Sequence, residues 1–289
     1  MDCCKIITEE LAKELLPKRV DDSNKGTYGT VLNFSGCKEY VGAAYLSSVA
    51  PLMVGAGLVE LATPNYVADK VAAMCADIIY MDMKTHSYLE TIPDNIDYSK
   101  YSSFIVGCGL GNNKYTKKFL NVFLEKIAKI SKSKIYDADA LNIIAEENIT
   151  NLGENSIITP HPGEMARLLS INVADVQADR GQAVLSAAKK YNSVVVLKGH
   201  NTLVALPTGE IYKDILGTNA LAKAGMGDVL AGIIAGFAAQ GVGAETAAIL
   251  GVYIHSQSGV YAEKDLTQYG VMASKLLDYI PYAIKSVIV

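Results

Sequence analysis

The sequence predicts a three-layer α/β fold in which a mostly parallel sheet lies between two layers of helices. Strand and helix patterns alternate through most of the 289 residues, and such alternation is typical of sheets built from strand-helix-strand units. Several predicted strands are apolar along their whole length, as expected for strands that are covered on both faces. Half of the residues (50%) are hydrophobic, which is enough for a large core. We expect a single domain over residues 1–289.

The first 130 residues alternate between helix and strand patterns. The stretch from Thr8 to Leu16 predicts a short helix, with Thr8 as its N-cap and Pro17 just past its end. Residues 21–27 are polar and predict a loop. The predicted strands that follow are 29–34, 57–62, 77–83 and 103–107, and the predicted helices between and after them are 41–54, 65–75 and 116–130.

The second half predicts shorter strands and a helical C-terminal part. Its apolar strand patterns are 134–136, 156–159 and 194–197, and a helix begins near Ala140. The segments 202–206 and 210–214 predict a hairpin, because Pro207 and Gly209 favour a turn between them. From Val229 the pattern is mostly helical, with no obvious break before Val289.

Composition excludes several classes of partner. The net charge of −4 and the absence of a Lys/Arg-rich block argue against nucleic acid. No segment is long and apolar enough to predict a membrane span. The five cysteines contain no C-x-x-C pair and no signal peptide is recognisable, so we expect a reducing cytoplasm. The four histidines lie far apart without metal-ligand spacing.

Four clusters of chemically unusual residues follow predicted strands. Ligands of open parallel sheets bind at the carboxyl ends of the strands, so four clusters at this edge indicate a functional site. The clusters are Gly107–Gly111, Asp137–Asp139, His161–Glu164 and Lys198–Gly199.

Each cluster also has a structural interpretation. Glu164 would favour the first-turn N–H groups of a helix that Pro162 begins, although this leaves His161 unexplained. Asp139 could cap the helix that follows it. Lys198 could be a solvated strand end or could face a phosphate. The Gly-x-Gly-x-Gly run at Gly107–Gly111 is an incomplete dinucleotide fingerprint.

The stretch from Gly217 to Gly241 predicts a glycine loop that leads into a buried helix. The loop at 224–227 would aim the helix N–H groups at a phosphate. Asp228 follows in the first turn, where it could accept a proton from a hydroxyl that attacks a phosphoryl group, or could simply cap the helix. Gly232 and Gly236 lie on one helix face, which we interpret as close packing of the helix on the sheet.

Together the clusters resemble the ADP/ATP-dependent NAD(P)H-hydrate dehydratases. The resemblance covers residues 20–282 and is specific in the combination of TPHPGE with a downstream glycine loop that ends in Gly-Asp. The matching segments, in order, are 25–31, 40–43, 55–59, 136–142, 159–164, 194–199 and 220–241. The family has the ribokinase-like (Rossmann-like) fold, in agreement with the sheet predicted above, and the length of the chain resembles the stand-alone form without an epimerase domain.

The resemblance implies a metabolite-repair enzyme, a hydro-lyase. Such an enzyme phosphorylates the ring hydroxyl of hydrated NADH or NADPH (NADHX or NADPHX) from ADP or ATP and then eliminates phosphate. By this likeness Asp228 is the catalytic base, and the backbone N–H groups of Gly225, Met226 and Gly227 stabilise the transferring phosphoryl group. Glu164 would organise Mg²⁺ through water. The hydrate would contact Ala43, Gly109, His161 and Asp228, and the nucleotide would contact Lys198, Gly199, His200, Asn201, Thr202 and Gly227.

Some positions depart from the family pattern. Met226 replaces a small polar residue, and Ser256, Val260 and Lys275 stand where the family has Gly, Asp and Asp. These changes bear on the choice of nucleotide more than on the reaction. His255 is expected at the surface or in a helix. The resemblance also implies ADP as donor and a homotetramer.

Two other functions compete with this one. Vitamin and sugar kinases of the same fold stop at a phosphorylated product, and His161 between two prolines favours the dehydratase over them. A nucleotide-binding protein without catalysis is a second rival. The presence of Asp228 argues against it, because an anion facing phosphate does not help binding.

Overall fold

Ten strands form one continuous sheet in the computed structural model, which describes residues 4–288. Cys3 therefore lies outside the described residues. The strands, β1 to β10, are Cys4–Ile6, Thr30–Phe34, Leu58–Thr63, Ile79–Asp82, Ser103–Val106, Ser133–Tyr136, Ser156–Ile158, Val194–Leu197, Leu203–Ala205 and Ile211–Lys213. The helices, α1 to α11, are Glu9–Leu15, Val41–Met53, Asn65–Ala72, Lys114–Ile127, Asp139–Glu146, Pro162–Leu169, Val173–Ala178, Arg180–Tyr191, Met226–Ala239, Ala244–Gly270 and Ala273–Ile288.

The strands lie in the order β1-β10-β9-β8-β7-β6-β5-β2-β3-β4. Seven consecutive neighbours from β8 to β4 are parallel, and β9 pairs antiparallel with both β8 and β10. The predicted hairpin of β9 and β10 is thus confirmed, as is the mostly parallel sheet flanked by helices. The carboxyl ends of β5, β6, β7 and β8 consequently meet at one edge.

The two faces of the sheet carry separate hydrophobic cores. Side chains of a strand point alternately to opposite faces, so Ile105 packs with α2, α9, α10 and α11 while Phe104 and Val106 pack with α4, α5 and α8. The same alternation occurs in β8, where Val196 and Val195 face opposite sides. Burial on both faces explains why these strands are apolar throughout.

Gly232 and Gly236 face a helix rather than the sheet, which corrects the sequence-based interpretation. A Cβ atom on Gly232 would lie 2.7 Å from the Ala50 Cβ, and one on Gly236 would lie 2.4 Å from the Val54 Cγ2. Both contacts are with α2 or its end. The glycines therefore allow the backbones of α2 and α9 to approach closely.

Several elements differ from the predictions. The helical C-terminal part is broken twice, at 240–243 and at 271–272, and α10 leaves helical geometry at Thr267. The sequence patterns also missed β1 and the helices α7 and α8, and residues 25–28 of the predicted loop form a short 3₁₀ helix. The helix α1 begins as predicted, since the Leu11 N–H donates to the Thr8 Oγ1 over 3.2 Å. Within residues 4–288 none of the helices combines the length and apolar character that crossing a bilayer requires.

Candidate active site

Asp137 lies at the centre of the polar residues that follow the sheet strands. Its Oδ1 accepts hydrogen bonds from Lys198 Nζ and Thr159 Oγ1, both over 2.7 Å. Lys198 Nζ also lies 3.8 Å from Glu164 Oε2. The Asp137 and Glu164 side chains are 2% and 5% exposed, so the site holds two buried carboxylates and one ammonium group.

The charges of this group act on each other because little water separates them. Burial alone would lower the pKa of the Lys198 amine, but the Asp137 and Glu164 carboxylates together hold it above its usual value. Burial raises the pKa of Glu164 to about 7, against the opposing effect of Lys198. The lysine is therefore a permanent cation of the site.

Asp228 enters the same site from the first turn of α9. Burial raises the pKa of its carboxyl from the ordinary 3.8 to about 7, and the charge of Asp137 adds to the rise, while Cys108 and Lys198 oppose it. The N-cap of α9 is Gly225, with φ 89° and no side-chain hydrogen bond to the helix end. The interpretation of Asp228 as a helix cap is therefore wrong, because its carboxylate makes no hydrogen bond that caps α9.

The start of α9 presents amide groups to the site. The N–H of Val229 donates to the Gly225 carbonyl over 3.1 Å and begins the helix ladder, and the Met226 N–H donates to the Lys223 carbonyl over 3.4 Å. Among the described residues, the N–H groups of Gly227 and Asp228 have no backbone acceptor. A Cβ atom on Gly227 would lie 3.2 Å from Lys198 Nζ. Only a residue without a side chain leaves room there for a ligand beside the lysine.

The loop after β5 adds a second wall. At Gly107, with φ 127°, a side chain would collide with the Asp137 carbonyl. Gly109 has φ 61° and lies against Ala43, since a Cβ atom there would be 2.7 Å from the Ala43 Cβ. The structure thus brings together Ala43 and Gly109, the two small residues predicted to contact the hydrate.

His161 and Glu164 form a capping box at the start of α6. His161 Nδ1 accepts from the N–H groups of Gly163 and Glu164 over 3.0 and 3.3 Å, and the His161 N–H donates to Glu164 Oε2 over 2.8 Å. Capping therefore accounts for both residues, whereas the sequence interpretation left His161 unexplained. Half of the His161 side chain is exposed, so its outer edge is available to a ligand. Burial and the charge of Lys198 lower the pKa of His161, which favours the neutral ring.

The turn from Lys198 to Thr202 joins β8 to β9 at the rim of the site. Lys198 lies inside with Asp137, whereas Gly199 and His200 are exposed. Gly199 has φ 133° and Asn201 φ 57°, and Thr202 Oγ1 donates to the Gly199 carbonyl over 3.0 Å. The predicted nucleotide residues thus divide into an inner lysine and an outer turn.

Arg180 and Asp137 support the site, and sequence reasoning gave neither a role. Arg180 Nη2 donates to the carbonyls of Leu197 and Lys198 over 3.1 and 3.3 Å, which fixes the turn from behind. Asp137 lies in the predicted cluster Asp137–Asp139, but a role, that of a helix cap, was predicted only for Asp139. Asp139 is not the N-cap of α5, which is Ala138; its Oδ2 accepts from the Gly111 N–H over 2.7 Å.

The residues that depart from the family pattern have separate surroundings, and one of them, Met226, contacts His255. His255 is buried within α10, not at the surface, and its Nε2 lies 3.1 Å from the Met226 carbonyl oxygen. Burial lowers the pKa of His255 to about 4. Ser256 donates to the buried carboxylate of Asp214 over 2.5 Å, while Lys275 pairs with Asp278 in an exposed ion pair of 3.7 Å. Of these contacts, the one between His255 and the Met226 carbonyl lies at the start of α9.

Residues 31–282 match the family model described as NAD(P)H-hydrate dehydratase. The chain belongs to the NAD(P)H-hydrate dehydratase family. The predicted family is therefore confirmed, and all the site residues described above lie within the matched range.

Relatives within the dehydratase family are similar over most of the chain. It is 34% identical to the bifunctional NAD(P)H-hydrate repair enzyme of Moorella thermoacetica, over 98% of this chain and 54% of that protein. It is 36% identical to the ADP-dependent (S)-NAD(P)H-hydrate dehydratase of Neisseria meningitidis, over 89% of this chain and 86% of the relative. The chain thus spans about half the length of the bifunctional repair enzymes that it matches.

A solved dehydratase structure has the same fold. The ADP/ATP-dependent NAD(P)H-hydrate dehydratase from Bacillus subtilis, co-crystallised with ATP/Mg²⁺, superposes with a TM-score of 0.87 at 26% identity and covers 99% of both chains. The ribokinase-like fold predicted for this chain is thereby confirmed.

Proposed function

We propose that this chain restores NADH and NADPH from their hydrates (NADHX and NADPHX), with ADP or ATP as phosphoryl donor. The observation that carries the proposal is the carboxyl group of Asp228. It lies in the first turn of α9, does not cap the helix, and has its pKa raised to about 7. A base works best when its pKa lies near the pH at which it operates. Membership of the dehydratase family makes the ring hydroxyl of the hydrate the group that Asp228 deprotonates.

The reaction begins with phosphoryl transfer. Asp228 accepts the proton of the ring hydroxyl as its oxygen attacks the terminal phosphorus of ADP or ATP. The N–H groups of Gly225, Met226 and Gly227 and the positive end of α9 stabilise the charge of the transferring group. His161, Ala43 and Gly109 hold the hydrated ring against this helix end.

The second step is elimination, for which the phosphorylated ring is well prepared. Phosphate leaves far more readily than hydroxide, and the lone pair of the ring nitrogen assists its departure. Loss of a ring proton then restores the reduced nicotinamide. The polar residues from Lys198 to Thr202, with Gly227, bind the nucleotide throughout.

The site also suits Mg²⁺. Its three carboxylates outnumber the ammonium group of Lys198, since Asp137 and Glu164 are buried and Asp228 is partly buried. Oxygen ligands of this kind are those that Mg²⁺ prefers. One Glu164 oxygen lies 2.8 Å from the backbone nitrogen of His161, and the other lies 3.4 Å from its Nε2. Because both oxygens already have these neighbours, we expect Glu164 to contact Mg²⁺ through water. When bound, the cation would neutralise phosphate charge.

We further propose that residues 1–289 form one domain, that the protein acts in the cytoplasm, and that it assembles as a homotetramer with ADP as its preferred donor. The continuous sheet from β1 to β4 supports the single domain. Light scattering during gel filtration tests the tetramer, and a mass near that of one or two chains would contradict it.

Incubation with chemically prepared NADH hydrate tests the function. With ADP or ATP and Mg²⁺, absorbance of NADH should return with one inorganic phosphate released per NADH. A kinase of the same fold would instead accumulate a phosphorylated product, and a binding protein would do neither.

The Asp228→Asn variant tests the mechanism in the same assay. It should bind nucleotide yet lose at least about 10²-fold in the rate of NADH restoration, the lower limit for a missing general base. The amide keeps the size of the carboxylate but cannot take the proton. Turnover near that of the unaltered protein would contradict the role of Asp228.

A further inference from the structure

Three side chains that can bind a metal ion meet at the site, and one of them is the candidate base Asp228. They are the Cys108 thiol and the carboxylates of Asp137 and Asp228, and one ligand atom of each lies within 4.8 Å of the other two. They come from separate parts of the chain, the ends of β5 and β6 and the first turn of α9. The proposed dehydration uses Asp228 as its base and Asp137 as the partner of Lys198, but it gives the Cys108 thiol no role.

The two oxygens of Asp137 have unequal surroundings. Oδ1 accepts two strong hydrogen bonds, from Lys198 and Thr159. Among the described residues, the partner of Oδ2 is the Cys108 thiol at 3.7 Å, and a thiol is a weak donor. The Asp137 side chain is 2% exposed, so this oxygen is almost fully removed from bulk solvent. A buried carboxylate oxygen in this state favours a cation.

The separations also suit a tetrahedral metal. With metal–sulfur and metal–oxygen bonds of about 2.3 and about 2.0 Å, sulfur and oxygen ligands lie about 3.5 Å apart. The distance from Cys108 Sγ to Asp137 Oδ2 is 3.7 Å, so this pair needs almost no movement. Asp228 supplies the third ligand, and the fourth position is open to water as in sites with three protein ligands.

We propose that Cys108, Asp137 and Asp228 bind a thiophilic divalent cation such as Zn²⁺ or Co²⁺, and that the bound cation inhibits the enzyme. Sulfur selects such ions over Mg²⁺, which prefers oxygen ligands. The thiol proton passes to solvent as the metal–sulfur bond forms. The cation occupies the Asp228 carboxylate, which then cannot accept the hydroxyl proton. The inhibition rests on the proposed function, whereas the binding does not.

Titration with Co²⁺ alone tests the site, because a cobalt–thiolate bond produces a charge-transfer absorption band. The background protein carries serine in place of Cys3, Cys4 and Cys75, which leaves Cys37 and Cys108 as its two thiols. One equivalent of Co²⁺ should give the band, and Zn²⁺ should abolish it. Cys108→Ser should lose the band entirely. Asp228→Asn should weaken Co²⁺ binding by at least about 10-fold, the scale on which altered metal sites lose affinity.

Cys37→Ser is the matched control. Cys37 is also a buried thiol beside a carboxylate, since its Sγ lies 3.2 Å from Glu39 Oε2, but it is outside the cluster. This variant should keep the band. A band in the Cys108→Ser protein, or none in the background protein at millimolar Co²⁺, would overturn the site. If Cys108→Ser does not fold, unchanged Co²⁺ affinity in Asp228→Asn overturns it instead.

Activity separates the two proposals. Micromolar Zn²⁺ should slow NADH restoration in the presence of Mg²⁺, and a chelator should reverse the effect. A Co²⁺ band in a protein that restores no NADH would leave the metal site standing and remove the proposed function. Full activity with Zn²⁺ bound, as judged by loss of the Co²⁺ band, would refute the inhibition.

Discussion

Asp137 organises the other charged side chains of the site. Its Oδ1 holds Lys198 at 2.7 Å, and its charge contributes to the raised pKa of Asp228. Lys198 in turn opposes the rise in the pKa of Glu164. One buried carboxylate therefore holds a lysine in place and adds to the effect of burial on the pKa of Asp228, which supports the proposed role of Asp228 as a general base near neutral pH.

His161 is expected to have two separable roles, one in the helix cap and one toward the hydrate. His161→Ala removes the acceptor for two N–H groups of α6 and should cost about 1 kcal/mol of stability, the usual value for a lost N-cap. His161→Asn restores a good N-cap but not the imidazole edge. Melting curves should show recovery in the asparagine variant, while its turnover of the hydrate stays low.

A control for this experiment is the ADP-induced rise in melting temperature, which both variants should keep. Recovery of turnover together with stability in His161→Asn would mean that the histidine is only a cap. Unchanged melting in His161→Ala would contradict the capping role.

For individual residues, the sequence predicted which side chains lie at the site better than it predicted which side chains they contact. Asp228, His161 and Lys198 follow glycine, proline or strand signals, and their positions at one edge could be predicted from the strand pattern. The role of Asp137 could not, because it depends on the distance to Lys198, 61 positions later in the chain. No local pattern encodes such a contact.

The two helices that begin at the site start in different ways. The helix α6 closes its first turn with the His161–Glu164 capping box, whereas α9 starts at Gly225 without a side-chain cap. An uncapped start leaves amides for a ligand. The difference supports the proposal that α9 binds the phosphoryl group, since the first turn of α6 is already closed by its own side chains.

Close packing of α9 on α2 gives a test of the fold. In Gly236→Ala the new Cβ atom would lie 2.4 Å from Val54 Cγ2 and 2.7 Å from Pro51 Cα. Part of the contact is with backbone, so we expect a loss of about 1–3 kcal/mol, typical of overpacking. Denaturant unfolding measures it.

Gly42→Ala is the control on the partner helix, because a Cβ atom at Gly42 meets nothing within 4 Å. Alanine there should be neutral or slightly stabilising, since it favours helix over glycine. Equal unfolding midpoints for the two variants would disprove the close approach of α2 and α9.

The elements that the sequence patterns missed have physical causes. The strand β1 has three residues, too few for a period-two pattern to be recognised. The break at 240–243 contains two glycines, and Gly241 has φ 93°, a conformation that commonly ends a helix. The break at 271–272 follows Gly270. The sequence interpretation did not use these glycine signals.

In the molecule as a whole, the polar residues of the site lie at the carboxyl ends of the strands, and both faces of the sheet bury apolar residues under helices. Ligands that bind only the folded protein stabilise it by mass action. ADP or ATP at about 100 times its dissociation constant should add about 2.7 kcal/mol and raise the melting temperature, with Mg²⁺ altering the effect. Adenosine, which lacks phosphate, should add much less. No shift with either nucleotide would refute both the dehydratase and the kinase.

The acidic groups of the site make stability depend on pH. The folded protein keeps protons on Asp228 and Glu164 up to about pH 7, whereas the unfolded chain releases them near pH 4. Between these values the folded state binds more protons, so stability falls as pH rises. His255 acts in the opposite direction below pH 6.5, since its pKa is lowered to about 4 in the folded state.

Comparison of Asp228→Asn with the unaltered protein isolates the contribution of Asp228, because Glu164 and His255 are common to both. At pH 4 the carboxyl is protonated and resembles the amide, so the melting temperatures should nearly agree. As pH rises to 8, only the unaltered protein gains a buried charge beside Asp137, and the variant should become the more stable one. A pKa moved from 3.8 to about 7 corresponds to at most about 4 kcal/mol, or several degrees in melting temperature. Melting is measured without nucleotide or divalent metal. A difference between the two proteins that stays constant from pH 4 to pH 8 would show that the Asp228 carboxyl titrates at its ordinary value, and the argument for a base near neutrality would fail.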